Sequence, residues 1–284
     1  MKIQYNVPLK DYATLHIGGP AAVLKEPESL EEMQQVLKEE DGRLFVLGNG
    51  SNVLFTDKGY DGTILKISPS WNGIERLEGD RIRVQSGAQN WEIADFAAAS
   101  ELGGYEFACG VPGMVGGAIR MNAGCYGSEI KDVLESVRYL DREGNLHEMK
   151  AEDAELGYRH SWFADNFGVI VDAVLQLHPA KSEDIQAAMR ELQEKRYSKQ
   201  PMDAYSCGST FKRPEGHFAA ALIDESGLRG YRVGEAQVSE KHTGFLINRG
   251  EATSEEFLQL IEDVRRIVAE KTGVELTCEV FIVE

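Results

Sequence analysis

Apolar residues along the chain fall into two periods, one near 3.6 and one of 2, and the two alternate from the start. In ESLEEMQQVLKEE (28–40), Leu30, Met33, Val36 and Leu37 form a stripe, and Ser29 with Glu32 has capping-box spacing, so a helix is expected. LFVLG (44–48) reads as a buried strand, followed by β structure at VLF (53–55) and TILKI (63–67). RIRVQSG (81–87) alternates as a strand, and NWEIADFAAASEL (90–102) returns to the helical period. SVRYLDREGNLHEM (136–149) predicts a hairpin around Glu143-Gly144-Asn145, and VIVDAVLQLHP (169–179) a strand stopped at Pro179. From Ser182 to about Gln200 the pattern is helical and polar, which places a boundary near 180. Residues 254–272 predict a helix with Thr253 and Glu256 at capping-box spacing and Leu258, Ile261, Val264, Ile267 and Val268 on its core face. The chain closes on LTCEVFIV (276–283), a strand. The class is α+β, with no repeat and no low-complexity linker.

Composition narrows the ligands. The 284 residues carry 47 acids against 30 bases, a net charge of −17, which repels phosphate backbones and excludes nucleic acid as the expected partner. An anionic ligand then requires a local basic pocket. No run approaches the roughly 18 apolar residues of a membrane span. MKIQYNVPLK has no apolar signal core, so secretion is not expected. Cys109, Cys125, Cys207 and Cys278 form no C-x-x-C pair, which disfavours zinc or a disulfide frame and fits a reducing cytosol.

The glycines carry the candidate chemistry. VLGNGSNVLF (46–55) lacks the third glycine and the following helix of a dinucleotide fingerprint, since Val53 occupies that position, and no P-loop pattern occurs. Asn49-Gly50 alone reads as a hairpin turn. Ser51 and Asn52 add small donors beside freed backbone amides, a nest suited to a pyrophosphate. In GVPGMVGGAIRMNAGCYG, Pro112 fixes one φ while Gly113, Gly116 and Gly117 leave bare backbone. This segment reads either as a tightly packed bend or as an apolar wall that a flat ligand approaches closely. Two such loops together suggest a flavin dinucleotide.

LGNGSNVLF, GVPGMVGGAIRMNAGCYGSEI, LGYRHSWF, CGSTFKRP, LIDESGLRGYRVGEAQVSEKHTGFLIN and LTCEVFIV, in this order from about Leu15 onward, resemble the UDP-N-acetylenolpyruvoylglucosamine reductases. The resemblance implies a two-lobed FAD domain of the vanillyl-alcohol-oxidase type (lobes 1–66 and 67–180), a smaller α+β substrate domain (181–272) and a terminal strand (273–284) returning to the site. It implies FAD held by Gly48, Asn49, Gly50, Ser51, Asn52, Gly113, Gly116, Gly117, Asn122, Ala123 and Gly124. NADPH is the implied reductant, the UDP-linked enolpyruvyl sugar the substrate, and a cytoplasmic monomer without a metal the expected form. The stretch from Trp162 to Gln200 is too short for the tyrosine-bearing loop of one branch, so the chain is similar to the shorter branch.

The reaction asks for a cation against the charge that builds on the substrate carboxylate, and for a proton donor. Arg159 beside Tyr158 suits the first need, since a guanidinium grips a carboxylate bidentately; without the motif it is a surface arginine. By resemblance Ser209 is the proton donor and Glu279 assists across the substrate. Taken alone, Ser209 caps a glycine turn and Glu279 is a solvated strand residue. Period-2 spacing sets Glu279 with Thr277 and Phe281, opposite Leu276, Cys278, Val280 and Ile282. Lys212 and Arg213 supply cations near the substrate. Arg196, between Lys195 and Lys199, is a phosphate candidate on an otherwise solvated face. His242 is a substrate-pocket candidate or a structural polar residue. Cys125 and Cys207 are expected to pack rather than react. Two rival readings are a flavin oxidase and a non-catalytic flavin or sugar-nucleotide binder.

Overall fold

The computed structural model describes all 284 residues, which divide into two compact units. Met1–Ile3, Leu24–Gly48 and Thr63–Arg196 form the first; Gln4–Val23, Asn49–Gly62 and Tyr197–Glu284 form the second. Local pattern places a boundary near 180, and the resemblance adds bounds at 66 and 272. Instead, the polar helix Ser182–Lys199 counts almost wholly with the first unit, and two early segments join the second.

The first unit is built on a five-stranded antiparallel sheet whose order is Leu146–Lys150, Leu134–Leu140, Val169–Gln176, Arg81–Gln85, Ile74–Arg76. Seven of the eight residues of the central strand VIVDAVLQ are buried, which is why it reads as an unbroken apolar run. The expected hairpin pairs Leu140 with Leu146 across the Gly144 turn. Helix Asn90–Ala99 packs Ile93, Ala94, Ala97 and Ala98 into the core; the small alanine face lets it lie close to the sheet. Helix Leu30–Glu39 is capped by Ser29, whose hydroxyl accepts the Glu32 amide at 3.2 Å. The Glu32 carboxylate reaches the Glu28 amide and the N-terminal amine rather than closing the box on Ser29. Met33, Val36 and Leu37 are its buried residues. Leu44–Leu47 pairs in parallel with Thr63–Lys66 and lies at the edge of its sheet, so only Leu47 is fully buried, fewer than the apolar run suggests.

The second unit packs helices Ala219–Glu225 and Ser254–Thr272 with a three-stranded sheet of Arg232–Val233, Ala236–Val238 and Leu246–Asn248. Thr253 and Glu256 close a full capping box at the start of the long helix. Its core face is broader than the expected stripe. Phe257 and Leu260 are buried with Ile261, Val264 and Val268, while Leu258 and Ile267 lie at the margin. Asn248, itself buried, accepts the Gly250 and Ala252 amides and donates to the Leu15 carbonyl at 3.0 Å, tying the early segment into this unit. The terminal strand Phe281–Val283 pairs in parallel with Val53–Phe55, starting at Phe281 opposite Val53.

Candidate active site

The strands flanking VLGNGSNVLF do not pair with each other. Leu44–Leu47 pairs with Thr63–Lys66, and Val53–Phe55 pairs with the chain terminus. The hairpin reading of Asn49-Gly50 therefore fails, and no helix follows the loop to support a dinucleotide fingerprint. Gly50 takes φ +63°, and a Cβ there would lie 2.1 Å from the Tyr12 carbonyl oxygen, so glycine is required twice over. Its own carbonyl accepts the Thr14 amide at 3.1 Å. Gly48 faces Met114, with a virtual Cβ 3.7 Å from its sulfur, so within the first unit the end of one glycine stretch meets the other. Asn49 is exposed and Ser51 half-buried.

In the second glycine stretch Gly113 has φ +117° and its carbonyl accepts the Asn90 amide. Gly116 packs on Ser86, with a virtual Cβ 3.0 Å from the Ser86 Cβ, and donates its amide to the Ser86 carbonyl. Gly117 has no atom within 4 Å of a virtual Cβ. The Ser86 hydroxyl is buried without a hydrogen-bond partner. A bare glycine face and an orphaned buried hydroxyl beside it fit a flat polar cofactor, because a buried hydroxyl left unpaired costs about 1–3 kcal/mol. Ser86 was not foreseen; its only local signal is its place at the end of RIRVQSG, just before Gly87.

Asn122 has its side chain engaged within the protein. It is fully buried at φ +39°; Nδ2 donates to Glu129 Oε2 at 2.6 Å and to the Gly157 carbonyl at 2.8 Å, and Oδ1 accepts the Lys131 amide. Both carboxamide protons and the oxygen find protein partners. Asn122 is thus a brace for the turn carrying Ala123 and Gly124. Ala123 donates to the Ala118 carbonyl, and a Cβ on Gly124 would lie 2.5 Å from Glu129 Cβ.

Arg159 sits at φ +53° in a turn closed by mutual Gly157 and His160 backbone bonds. A left-handed arginine costs about 1 kcal/mol or more, the strain expected where a side chain is held for a task. Its Nη2 donates to the Gly124 carbonyl at 3.0 Å, and its guanidinium lies 5.0 Å from the exposed Tyr158 ring. Arg196 lies against Gly110, where a virtual Cβ would be 3.0 Å from its Cδ, and its Nε is buried without a hydrogen-bond partner. Both guanidinium groups act on the Cys125 thiol, yet burial outweighs them and pushes that thiol above its ordinary value. Cys125 is a neutral packing residue beside two cations. Cys207, fully buried, is pushed up to about 12 and is likewise inert.

In the second unit the motif around Ser209 runs antiparallel to the C-terminal segment. Phe211 bridges Cys278, Glu279 donates its amide to the Thr210 carbonyl at 2.8 Å, and Lys212 donates to the Thr277 carbonyl at 2.8 Å. Ser209 and Glu279 therefore lie on neighbouring antiparallel segments. Thr210 is buried and Ser209 exposed, with Gly208 at φ +78° turning the chain just before it. Glu279 is half-buried. Leu276 and Val280 are buried and Thr277 exposed, as the alternation expects, but Cys278 and Glu279 are both half-buried, and beyond Val280 the facing inverts: Ile282 is exposed and Val283 buried. The inversion falls where the chain leaves the Phe211 segment and joins Val53–Phe55. Lys212 is half-buried. The exposed Arg213 stacks 3.9 Å over the Phe218 ring and donates Nε to the His217 carbonyl.

His242 is half-buried against Phe245 and accepts the Gly244 amide on Nδ1 at 3.2 Å; the Gly244 carbonyl in turn accepts the Thr210 amide. Burial lowers its pKa, so the ring is neutral near pH 7, with its proton on Nε2. A lowered folded-state pKa means that the unfolded chain binds the proton first. The stability this site contributes is present above the ordinary histidine value and is lost as pH falls through the folded-state value. The thermal midpoint of wild type is expected to drop relative to His242→Gln as pH is lowered from 7 to 5. A gap independent of pH, read by thermal melts in parallel buffers, would refute this.

No helix is long and apolar enough to cross a membrane. Residues 200–283 match the family model described as UDP-N-acetylenolpyruvoylglucosamine reductase, C-terminal domain, and residues 20–150 match an FAD binding domain. The chain is 44% identical over 285 residues to the UDP-N-acetylenolpyruvoylglucosamine reductase of Caldanaerobacter subterraneus subsp. tengcongensis, covering 99% of this chain and 94% of the relative. It is 43% identical over 285 residues to that of Syntrophomonas wolfei subsp. wolfei, covering 99% and 95%. Among solved structures, the UDP-N-acetylenolpyruvylglucosamine reductase of Thermus caldophilus superimposes with a TM-score of 0.85 at 34% identity, covering 100% of this chain and 98% of that one. On full-length identity, matched domains and shared fold, the chain belongs to the UDP-N-acetylenolpyruvoylglucosamine reductase family.

Proposed function

We propose that this chain uses NADPH and FAD to reduce the enolpyruvyl ether of UDP-N-acetylglucosamine to UDP-N-acetylmuramate, a step of peptidoglycan precursor synthesis. The observation that carries the reading is identity of 43–44% sustained over nearly the whole length of chains bearing that activity in their name. The FAD-binding domain is of the two-lobed vanillyl-alcohol-oxidase type. Gly48–Ser51, Gly113, Gly116, Gly117 and the Ser86 hydroxyl are the groups that would hold FAD, largely through backbone. Bound FAD supplies the hydride, drawn from NADPH.

The chain's own residues do the rest. Hydride addition to the substrate's methylene carbon moves an electron pair toward the adjacent carbon and its carboxylate. Arg159, permanently charged and steadied by the Gly124 carbonyl, holds that carboxylate and offsets the developing charge. Ser209 delivers its hydroxyl proton to the carbon bearing the carboxylate. A hydroxyl is a weak acid, so the electron-rich carbon itself drives the transfer, with Glu279 on the neighbouring segment polarising the site. Tyr158, Arg196, Lys212 and Arg213 bind the sugar diphosphate, and neutral His242 offers an Nε2 proton. This local positive charge answers the −17 of the whole chain.

The reading predicts that wild type oxidises NADPH when the enolpyruvyl sugar nucleotide is added, with one lactyl ether formed per NADPH consumed. Equal NADPH consumption with oxygen alone would favour a flavin oxidase, and none at all a binding protein. We also propose a cytoplasmic monomer; the four free thiols fit a reducing compartment. Light scattering should return the 31.5 kDa of one chain, and a multiple of that mass would overturn it.

A further inference from the structure

The sequence places Asn52 in the cofactor loop, but its side chain points to another task. Asn52 Nδ2 donates to the backbone carbonyl of Glu279 at 3.1 Å, and the Asn52 carbonyl accepts the Phe281 amide at 3.1 Å. The Glu279 amide donates to the Thr210 carbonyl at 2.8 Å. Both backbone polar groups of Glu279 are therefore held, one by the residue after Ser209 and the other by the loop that begins at Gly48.

Resting on the reductase reading, we propose that Asn52 is a positioning residue for Glu279, tying the cofactor loop to the acid–base pair. The chain changes partners at this point. Cys278 bridges Phe211, and pairing with Val53 begins at Phe281. Glu279 lies between these two pairings, and there the Asn52 carboxamide donates to its carbonyl. Without it the carbonyl of the half-buried glutamate loses the donor that holds this stretch of backbone against the loop. A displacement of about 1 Å at such a group costs about 10²-fold in rate.

The test compares Asn52→Ala and the near-isosteric Asn52→Asp, which keeps the volume but loses the donor, in holoenzyme saturated with FAD. Both are expected to lower turnover of the enolpyruvyl sugar nucleotide at least tenfold more than they lower bleaching of the flavin by NADPH. Amide hydrogen exchange across 279–281 should quicken at least tenfold, with the helix Ser254–Thr272 unaffected. In the Glu279→Gln background, Asn52→Asp should cost less than a further twofold, because a residue acting through Glu279 has nothing left to position. Equal losses in the two half-reactions, unchanged exchange at 279–281, or fully multiplicative effects with Glu279→Gln would each overturn the proposal. Failure of wild type to consume NADPH with this substrate would instead strike the functional reading.

Discussion

Ser209→Ala is expected to slow reduction of the enolpyruvyl sugar nucleotide by about 10³-fold, the range typical of removing a general acid. Thermal stability should stay within about 0.5 kcal/mol of wild type, because Ser209 is exposed and its hydroxyl makes no hydrogen bond within the protein. Its backbone neighbour Thr210, which remains, supplies the bond to Glu279. Bleaching of the flavin by NADPH involves no proton delivery to carbon and should fall far less than turnover does. Solvent deuterium should appear at the carbon bearing the carboxylate in whatever product the variant forms. Rapid-mixing absorbance separates the two half-reactions; equal loss in both would assign Ser209 a structural role.

Gly50→Ala is the substitution expected to damage the fold most. The position combines φ +63° with a virtual Cβ 2.1 Å from the Tyr12 carbonyl oxygen and 2.8 Å from Ala13 Cα, all backbone that cannot rotate away. Left-handed strain alone is about 1–2 kcal/mol, and displacing the Tyr12–Ala13 segment breaks the bond from Thr14 to the Gly50 carbonyl. A total near 4 kcal/mol places it among the exceptional substitutions, with loss of bound FAD on purification as the visible result. Gly117→Ala is the informative contrast. Its virtual Cβ meets nothing within 4 Å, so the melting temperature should hold while affinity for FAD falls about tenfold. Apoprotein titrations read by flavin fluorescence check both. If Gly117→Ala binds FAD as wild type does, that glycine does not face the cofactor.

These two glycines show how far local pattern reaches. Both were legible as backbone that something approaches closely. At Gly50 that something is the protein's own residues Tyr12 and Ala13; at Gly117 it is open space. Asn122 and Asn52 make the same point for side chains. Each sits in a motif that resembles a cofactor loop, and each donates from its carboxamide to a backbone carbonyl of the protein, Asn122 also to the Glu129 carboxylate. A hydrogen bond to a carbonyl leaves no mark on the identity of the residue that accepts it, so neither contact can be read from residue types. The Ser86 hydroxyl is illegible in the sequence for the complementary reason, since its significance is the lack of a partner.

From its residues alone the chain determined its four longest helices and the Leu140–Leu146 hairpin, and its motifs carried the resemblance that made the acid–base trio candidates, whereas the short helices Val115–Arg120 and Ala219–Glu225 were not legible. Caps, periodicity and turn chemistry involve residues within about four positions, where spacing is itself the physical cause. Only the tertiary structure decided that Val53–Phe55 pairs with Phe281–Val283, more than two hundred residues away. That pairing draws early segments into the second unit, inverts the facing of the last strand after Val280 and brings Asn52 to Glu279. Pairings of this kind are selected by backbone hydrogen bonds and shared burial between distant segments, terms that no local window contains.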